Sequence, residues 1–398
     1  MKVTLIHPGT QYSHRLVCQL DRVDVLDKFI TGIAFASSNG LAKKLSKTVL
    51  PQISNRIIHC SVPSHKLVVL PWDELVALCR LKIGGDHETI MYDRNRKFQE
   101  RIPVHFFKTA DAIIGFDTSS WLSSIRAQQF GKPYFLDQSI GHPVEKVKIF
   151  SMLQLRYPEW IEDIPQKSSL LMTIEHQEYE SASKIIVASS FTKNSLLKNG
   201  VNENKIIVNP YGVSGSFFIN RSSKRRTKIR FLYLGFLGAR KGLPLLLDVW
   251  KNNEFHEKSE LWLAGPSSSF ALKAIQRVPG IKYLGALPHT QLPHVLEECD
   301  CLVFPSYFEG FGQVILEAMA AGLPVITTEA TAGPDIIKQG VDGFLFETGD
   351  ENRLAELMRI FILDNFLAEN MGKAARNKAR TFSWDAYGDR WKSILENI

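Results

Sequence analysis

Apolar and polar positions along this chain follow two alternating rhythms. Short apolar runs, mostly four to eight residues long and ending in polar or small residues, are separated by longer stretches of helical periodicity. Parallel strands buried on both faces and joined by helices produce this pattern. One series of runs falls at residues 3–7, 29–35, 57–60, 112–116, 133–137 and 184–188. A second and more regular series falls at 229–234, 260–264, 280–284, 301–304, 324–328 and 343–346. Between them, Gly212 to Ser216 and the basic run from Arg221 to Lys228 combine turn formers with like charges, so the linker is expected there. Two Rossmann-like α/β domains are predicted, over 1–212 and 213–384. Residues 377–398 are expected to be helical, with Trp384, Tyr387, Trp391 and Leu395 on one apolar face that must dock.

Composition narrows the class. The chain has 398 residues, 44% hydrophobic and 22% charged, with 48 Lys+Arg against 41 Asp+Glu and a formal charge of +7. That moderate basic excess favours anionic partners without the charge density of a nucleic-acid-binding tail. The apolar stretch at the start is about four residues and stops at His7, so no export leader is expected. No run approaches the length of a membrane span. Cys18, Cys60, Cys79, Cys299 and Cys301 show no CxxC or Cys/His ligand spacing, and all five are expected to be reduced thiols in a cytoplasmic protein.

Chemistry concentrates in two loops. After the strand ending at Phe304, a turn carries Glu309, Gly310, Phe311, Gly312 and Gln313, and a helix follows with Glu317 about one and a half turns inside. Backbone N–H groups at a glycine-bearing helix start are suited to phosphate oxygens. Seven residues lie between Glu309 and Glu317, a spacing that suits gripping two ends of a sugar nucleotide. The second loop, Gly235-Phe236-Leu237-Gly238-Ala239-Arg240-Lys241-Gly242, follows the first strand of the second series. Its position is where a doubly wound sheet binds ligand, and Arg240 and Lys241 supply fixed positive charge there. The chain has no GxGxxG after its first strand, no GxxxxGK[ST], no GxSxG, no zinc-spaced histidine pair and no Asp-x-Asp.

The two glutamates about a Gly-Phe-Gly turn, followed by Ala-x-Ala-x-Gly-x-Pro-Val at 318–325, resemble the retaining glycosyltransferases of family four. The resemblance implies a GT-B fold, two Rossmann-like domains facing across a cleft, with a helix at about 385–398 crossing back to the first. It implies Glu309 near the reacting carbon of the donor sugar, Glu317 on the nucleoside ribose, and Arg240 and Lys241 on the diphosphate. Many members have an arginine where this chain has Phe236, and Arg240 stands in for it. His142, after the strand at 133–137, matches the histidine that faces the donor sugar. Gly9 is the single glycine of a loop where the family has a pair, and with Gly310, Phe311, Gly312, Gln313 and Glu317 it completes the expected donor-binding set.

The activity so implied is transfer of a hexosyl unit from a nucleoside diphosphate sugar to a saccharide or lipid-linked acceptor, in polysaccharide or glycolipid biosynthesis. No cofactor, metal or nucleic acid is expected. Peripheral contact with the inner face of a membrane is compatible with the basic run. Two rivals stay open, a sugar-nucleotide epimerase or hydrolase of the same architecture and a carbohydrate-binding relative without turnover.

Overall fold

Continuous apolar runs give strands that need cover on both faces, and the computed structural model of the chain arranges them as two parallel sheets. It describes residues 1–10, 12–36, 56–163, 168–221 and 228–397. The first sheet contains β1 (Val3–His7), β2 (Leu26–Thr31), β3 (Leu67–Val69), β4 (Ala112–Phe116), β5 (Tyr134–Gln138), β6 (Lys184–Val187) and β7 (Ile206–Val208), in the order β3-β2-β1-β4-β5-β6-β7. The second contains β8 (Ile229–Leu234), β9 (Ser259–Ala264), β10 (Ile281–Tyr283), β11 (Cys301–Phe304), β12 (Val325–Thr328) and β13 (Gly343–Phe346), in the order β10-β9-β8-β11-β12-β13. Every residue of β1, β4, β5 and β11 is buried. Strand order reverses direction at β1/β4 and at β8/β11, and the crevice outside the carboxyl ends of such strands is where open α/β sheets take ligands.

The departures from expectation lie at sheet edges. The second strand is Leu26–Thr31 rather than 29–35, and Phe35 makes only an isolated bridge to Ile57. No strand covers 57–60; that edge of the sheet belongs to Leu67–Val69, and the opposite edge belongs to the equally short Ile206–Val208. Three-residue edge strands that are only partly buried leave little apolar pattern to read. The cysteine expectation also fails. Cys18, on the helix Ser13–Arg22, forms a disulfide with Cys60, while Cys79, Cys299 and Cys301 are free. Forty-two positions separate the two bonded residues, so proximity created by the fold brought them together, and the thiol argument for a reducing compartment falls away.

Two chain crossings join the domains side by side. Val213 N donates to Phe382 O at 2.9 Å, and Val213 bridges Ser383 in parallel. The expected tail helix is two helices, Asn365–Ala379 and Trp384–Glu396, broken where Ser383 accepts from Ala386 N at 3.0 Å as an N-cap. The last helix returns to the first domain. Tyr387, Trp391 and Leu395 are buried, Trp391 lies edge-on to Phe135 of β5, and the Arg390 guanidinium donates to Asn209 Oδ1 at 2.7 Å and Pro210 O at 2.6 Å. In the linker, Arg221 is tied to the second domain through Gly322 O and Asp300, and residues 222–227 of the basic run lie outside the described residues. No described helix is long and apolar enough to cross a membrane.

Trp391→Ala should therefore lower the unfolding free energy by about 3–5 kcal/mol, because the indole fills space between the return helix and β5. Urea unfolding measures this, and a loss below about 1 kcal/mol would mean that the helix docks without using its buried face.

Candidate functional site

The site is built on the turn between β11 and the helix Gln313–Ala320. Gly312 starts the helix with φ +83°, a backbone conformation that glycine reaches without strain, and no side chain caps the helix there. Its first N–H groups and dipole are thus suited to an external anion. Phe311 is buried, its ring edge-on to Tyr211 at 5.1 Å, and it anchors the turn from below. Gly310 touches the first domain: a Cβ at this position would stand 1.8 Å from Ser139 O. Its carbonyl accepts from Ser189 Oγ at 2.5 Å and Thr192 Oγ1 at 3.1 Å, while Asp335 accepts from Ser190 N at 2.8 Å. Ser189 caps the helix Ser190–Leu197, accepting from Thr192 N, and with Thr192 it also binds the two domains together.

Glu309, just before Gly310, holds the two cations of the other loop. Its Oε2 accepts from Lys241 Nζ and from Arg240 Nη1 at 3.2 Å, and Arg240 also donates to Phe308 O at 2.7 Å. The Arg240 carbonyl is fixed in turn by Tyr307 N at 2.9 Å and Ser306 Oγ at 3.2 Å. Burial alone would raise the Glu309 carboxyl, but Lys241 and then Arg240 outweigh it and hold the group below its usual range. Burial draws the Lys241 ammonium down against the pull of Glu309. Two cations face one carboxylate in a largely desolvated place beside an uncapped helix start, so the arrangement has uncompensated positive charge for an anion.

Glu317 lies deeper, nearly buried, with His289 Nε2 2.9 Å from its Oε1. The His289 ring stands edge-on to Phe217. The hydrogen bond to Glu317 is the leading cause that raises the His289 pKa above its ordinary 6.5. Tyr12 of the first domain stacks on Tyr211 at 4.1 Å, and burial first, then the nearby Glu309 and Glu317, push its phenol up. Gln313 uses its side-chain amide to hold the linker, donating to Gly212 O at 2.8 Å.

On the first domain, His142 caps the helix Pro143–Arg156: its Nδ1 accepts from Val144 N at 3.2 Å and its own N donates to Ser195 Oγ at 2.9 Å. In the neutral ring the proton is then on Nε2. Gly9 follows β1, and its amide is committed to His7 Nδ1 at 3.0 Å. Burial, the largest cause, takes His7 down to about 3, so that ring is neutral. Among the described residues no group of three or more His, Cys, Asp or Glu side chains is arranged to hold a metal. The structure therefore brings Arg240, Lys241 and Glu309 together, with Gly310, Phe311, Gly312, Gln313 and Glu317 along the adjoining turn and helix. His142 and Gly9 belong to the facing domain. His289 and Tyr12 carry no motif and went unread in the sequence.

The His289–Glu317 contact makes a signed prediction. A histidine pKa raised by folding means that the ion pair is present at low pH and lost as pH rises through the raised value. The His289 ring, followed by nuclear magnetic resonance, should titrate with a midpoint above 6.5 in the native chain and fall back toward 6.5 in Glu317→Gln. Equal midpoints in the two proteins would contradict the contact.

The chain is similar to known proteins. Residues 216–378 match the family Glycosyl transferases group 1. An uncharacterized glycosyltransferase of Methanocaldococcus jannaschii is 29% identical over 207 residues, 52% of this chain and 57% of that protein. The chain spans about half the length of the curated relatives it matches. Among solved structures, sucrose-phosphate synthase from Thermosynechococcus elongatus superposes with a TM-score of 0.71 at 19% identity, covering 100% of this chain and 98% of that one. Anabaena HepE in complex with UDP superposes with a TM-score of 0.64 at 16% identity, covering 100% of both. These two likenesses are of fold. The second domain thus resembles the group 1 glycosyltransferases, and the two facing parallel-sheet domains with a returning helix have the GT-B fold.

Proposed function

We propose that the protein transfers a hexosyl unit from a nucleoside diphosphate sugar to the hydroxyl of a saccharide or lipid-linked acceptor, with retained anomeric configuration and without a divalent metal. The observation that carries the reading is the pair Arg240 and Lys241 on Glu309, beside the uncapped start of the helix Gln313–Ala320. In the reaction the bond between the anomeric carbon and the diphosphate oxygen breaks, and one forms to the acceptor oxygen. The acceptor proton leaves with the diphosphate. Negative charge grows on the leaving oxygen, where two fixed cations and helix amides stabilise it more in the transition state than in the ground state. Glu317 accepts the ribose hydroxyls, Glu309 lies at the sugar, and Nε2–H of His142 is the sugar-facing donor on the opposite wall. UDP, the nucleotide named for the Anabaena structure, is the first donor nucleotide to test.

The test is release of nucleoside diphosphate with and without acceptor, in the presence of a chelator. Release that requires acceptor and persists in chelator supports the reading. Release without acceptor indicates a hydrolase, donor isomerised without release indicates an epimerase, and binding without turnover indicates a carbohydrate-binding protein. In that assay Lys241→Ala should lower kcat about 100-fold to 1000-fold, as loss of one preorganised electrostatic donor does. Lys241→Arg should recover only part of it, since a planar fork does not replace a compact ammonium. A raised KM with unchanged kcat would make Lys241 a uniform binding contact instead.

A further inference from the structure

The helix Trp72–Lys82 is inside out. Its carboxylates turn inward, Asp73 to Arg101 at 2.9 Å and Glu74 to Arg94 at 2.8 Å and to Arg56. Its apolar side chains turn outward: Trp72 is 67% exposed and Val76 53%, Leu75 and Leu78 are exposed as well, and Ile83 just past the helix is 86% exposed. A surface helix bathed only in water has the reverse arrangement. Arg80 and Lys82 are exposed among these residues. With both acids turned in, the outward face is apolar and cationic.

Its location matters. The next helix, His87–Glu100, runs antiparallel to it, with Arg80 on Asp93 at 2.8 Å. Asn95 donates to Thr118 O just beyond the carboxyl end of β4, whereas Phe98 lies in the core over the sheet. The turn that carries Ile83 thus lies toward the opposite end of His87–Glu100 from Phe98. Gln138, His142 and the loop after β1 lie at the same carboxyl edge of the sheet as Thr118. Ser168 N donates to Glu88 at 3.3 Å, and the neighbouring Leu170 adds another exposed apolar side chain.

We propose that this helix pair docks the protein on the surface of an anionic lipid bilayer, with Trp72, Val76 and Ile83 in the headgroup–acyl boundary and Lys82 at lipid phosphates. Apolar side chains with a tryptophan and flanking cations fit that interface, and the anionic surface supplies the opposite charge. A second copy of the chain would bring the same cations to the contact. Docking there sets the site edge of the first domain against the membrane, from which a lipid-linked acceptor can enter.

The test uses the full chain and sedimentation with vesicles of phosphatidylcholine alone or with added phosphatidylglycerol. The native chain should sediment with the anionic vesicles and far less with the neutral ones. The double variant Val76→Glu, Ile83→Glu should lose at least about tenfold in partitioning, since each side chain withdraws apolar area from water. Lys82→Glu should weaken binding to the anionic vesicles alone. Retained nucleoside diphosphate binding by the variants shows that they are folded. Three results would overturn docking: a native chain that stays in the supernatant with both vesicles, a double variant that binds like the native chain, or a double variant that only turns a dimer into a monomer. Sedimentation is read without turnover, so it succeeds or fails separately from the transfer reading.

Discussion

The two domains meet backbone to backbone at Gly310. With Ser139 O where a Cβ would stand, and with Ser189 and Thr192 both donating to its carbonyl, the turn has one permitted seat against the first domain. That seat decides the positions on either side. Glu309 is carried to the loop of Arg240 and Lys241, Phe311 is driven into the aromatic contact with Tyr211, and Gly312 starts the helix that contains Glu317. The paired crossings at Val213 and Ser383, and the return helix anchored by Trp391, hold the first domain in the place this contact needs.

Electrostatics then sets the charge of the seat. A carboxylate in a nearly closed site costs free energy unless it is paired, and here Glu309 is paired twice over. Under the proposed function, the pairing fixes both cations before the diphosphate arrives, so little reorganisation is needed when its oxygens approach. The surplus positive charge is small and local. It would be invisible in the overall +7 of the chain, which is spread across 48 basic and 41 acidic residues.

Legibility in the sequence followed locality. Buried central strands read clearly, since a run such as Val3–His7 is buried throughout and mostly apolar, and the edge strands Leu67–Val69 and Ile206–Val208 did not. The two charged loops were legible because glycines and charges needed by one turn lie within a few residues of each other. His289 on Glu317, Cys18 on Cys60 and Ser189 on Gly310 join residues 28, 42 and 121 positions apart, and nothing local announces such contacts. Gln313 shows the opposite case. Its place in the motif suggested a ligand contact, while its amide nitrogen holds Gly212 of the linker.

The central claim is that the cation pair on Glu309 and the helix start beside it form one seat for a diphosphate. A crystal structure with bound nucleoside diphosphate tests this most directly. The account predicts Lys241 Nζ and the amide of Gly312 or Gln313 within about 3.2 Å of phosphate oxygens, with Glu317 on the ribose. A nucleotide bound elsewhere, or a diphosphate in the cleft touching neither Lys241 nor the helix start, would contradict it.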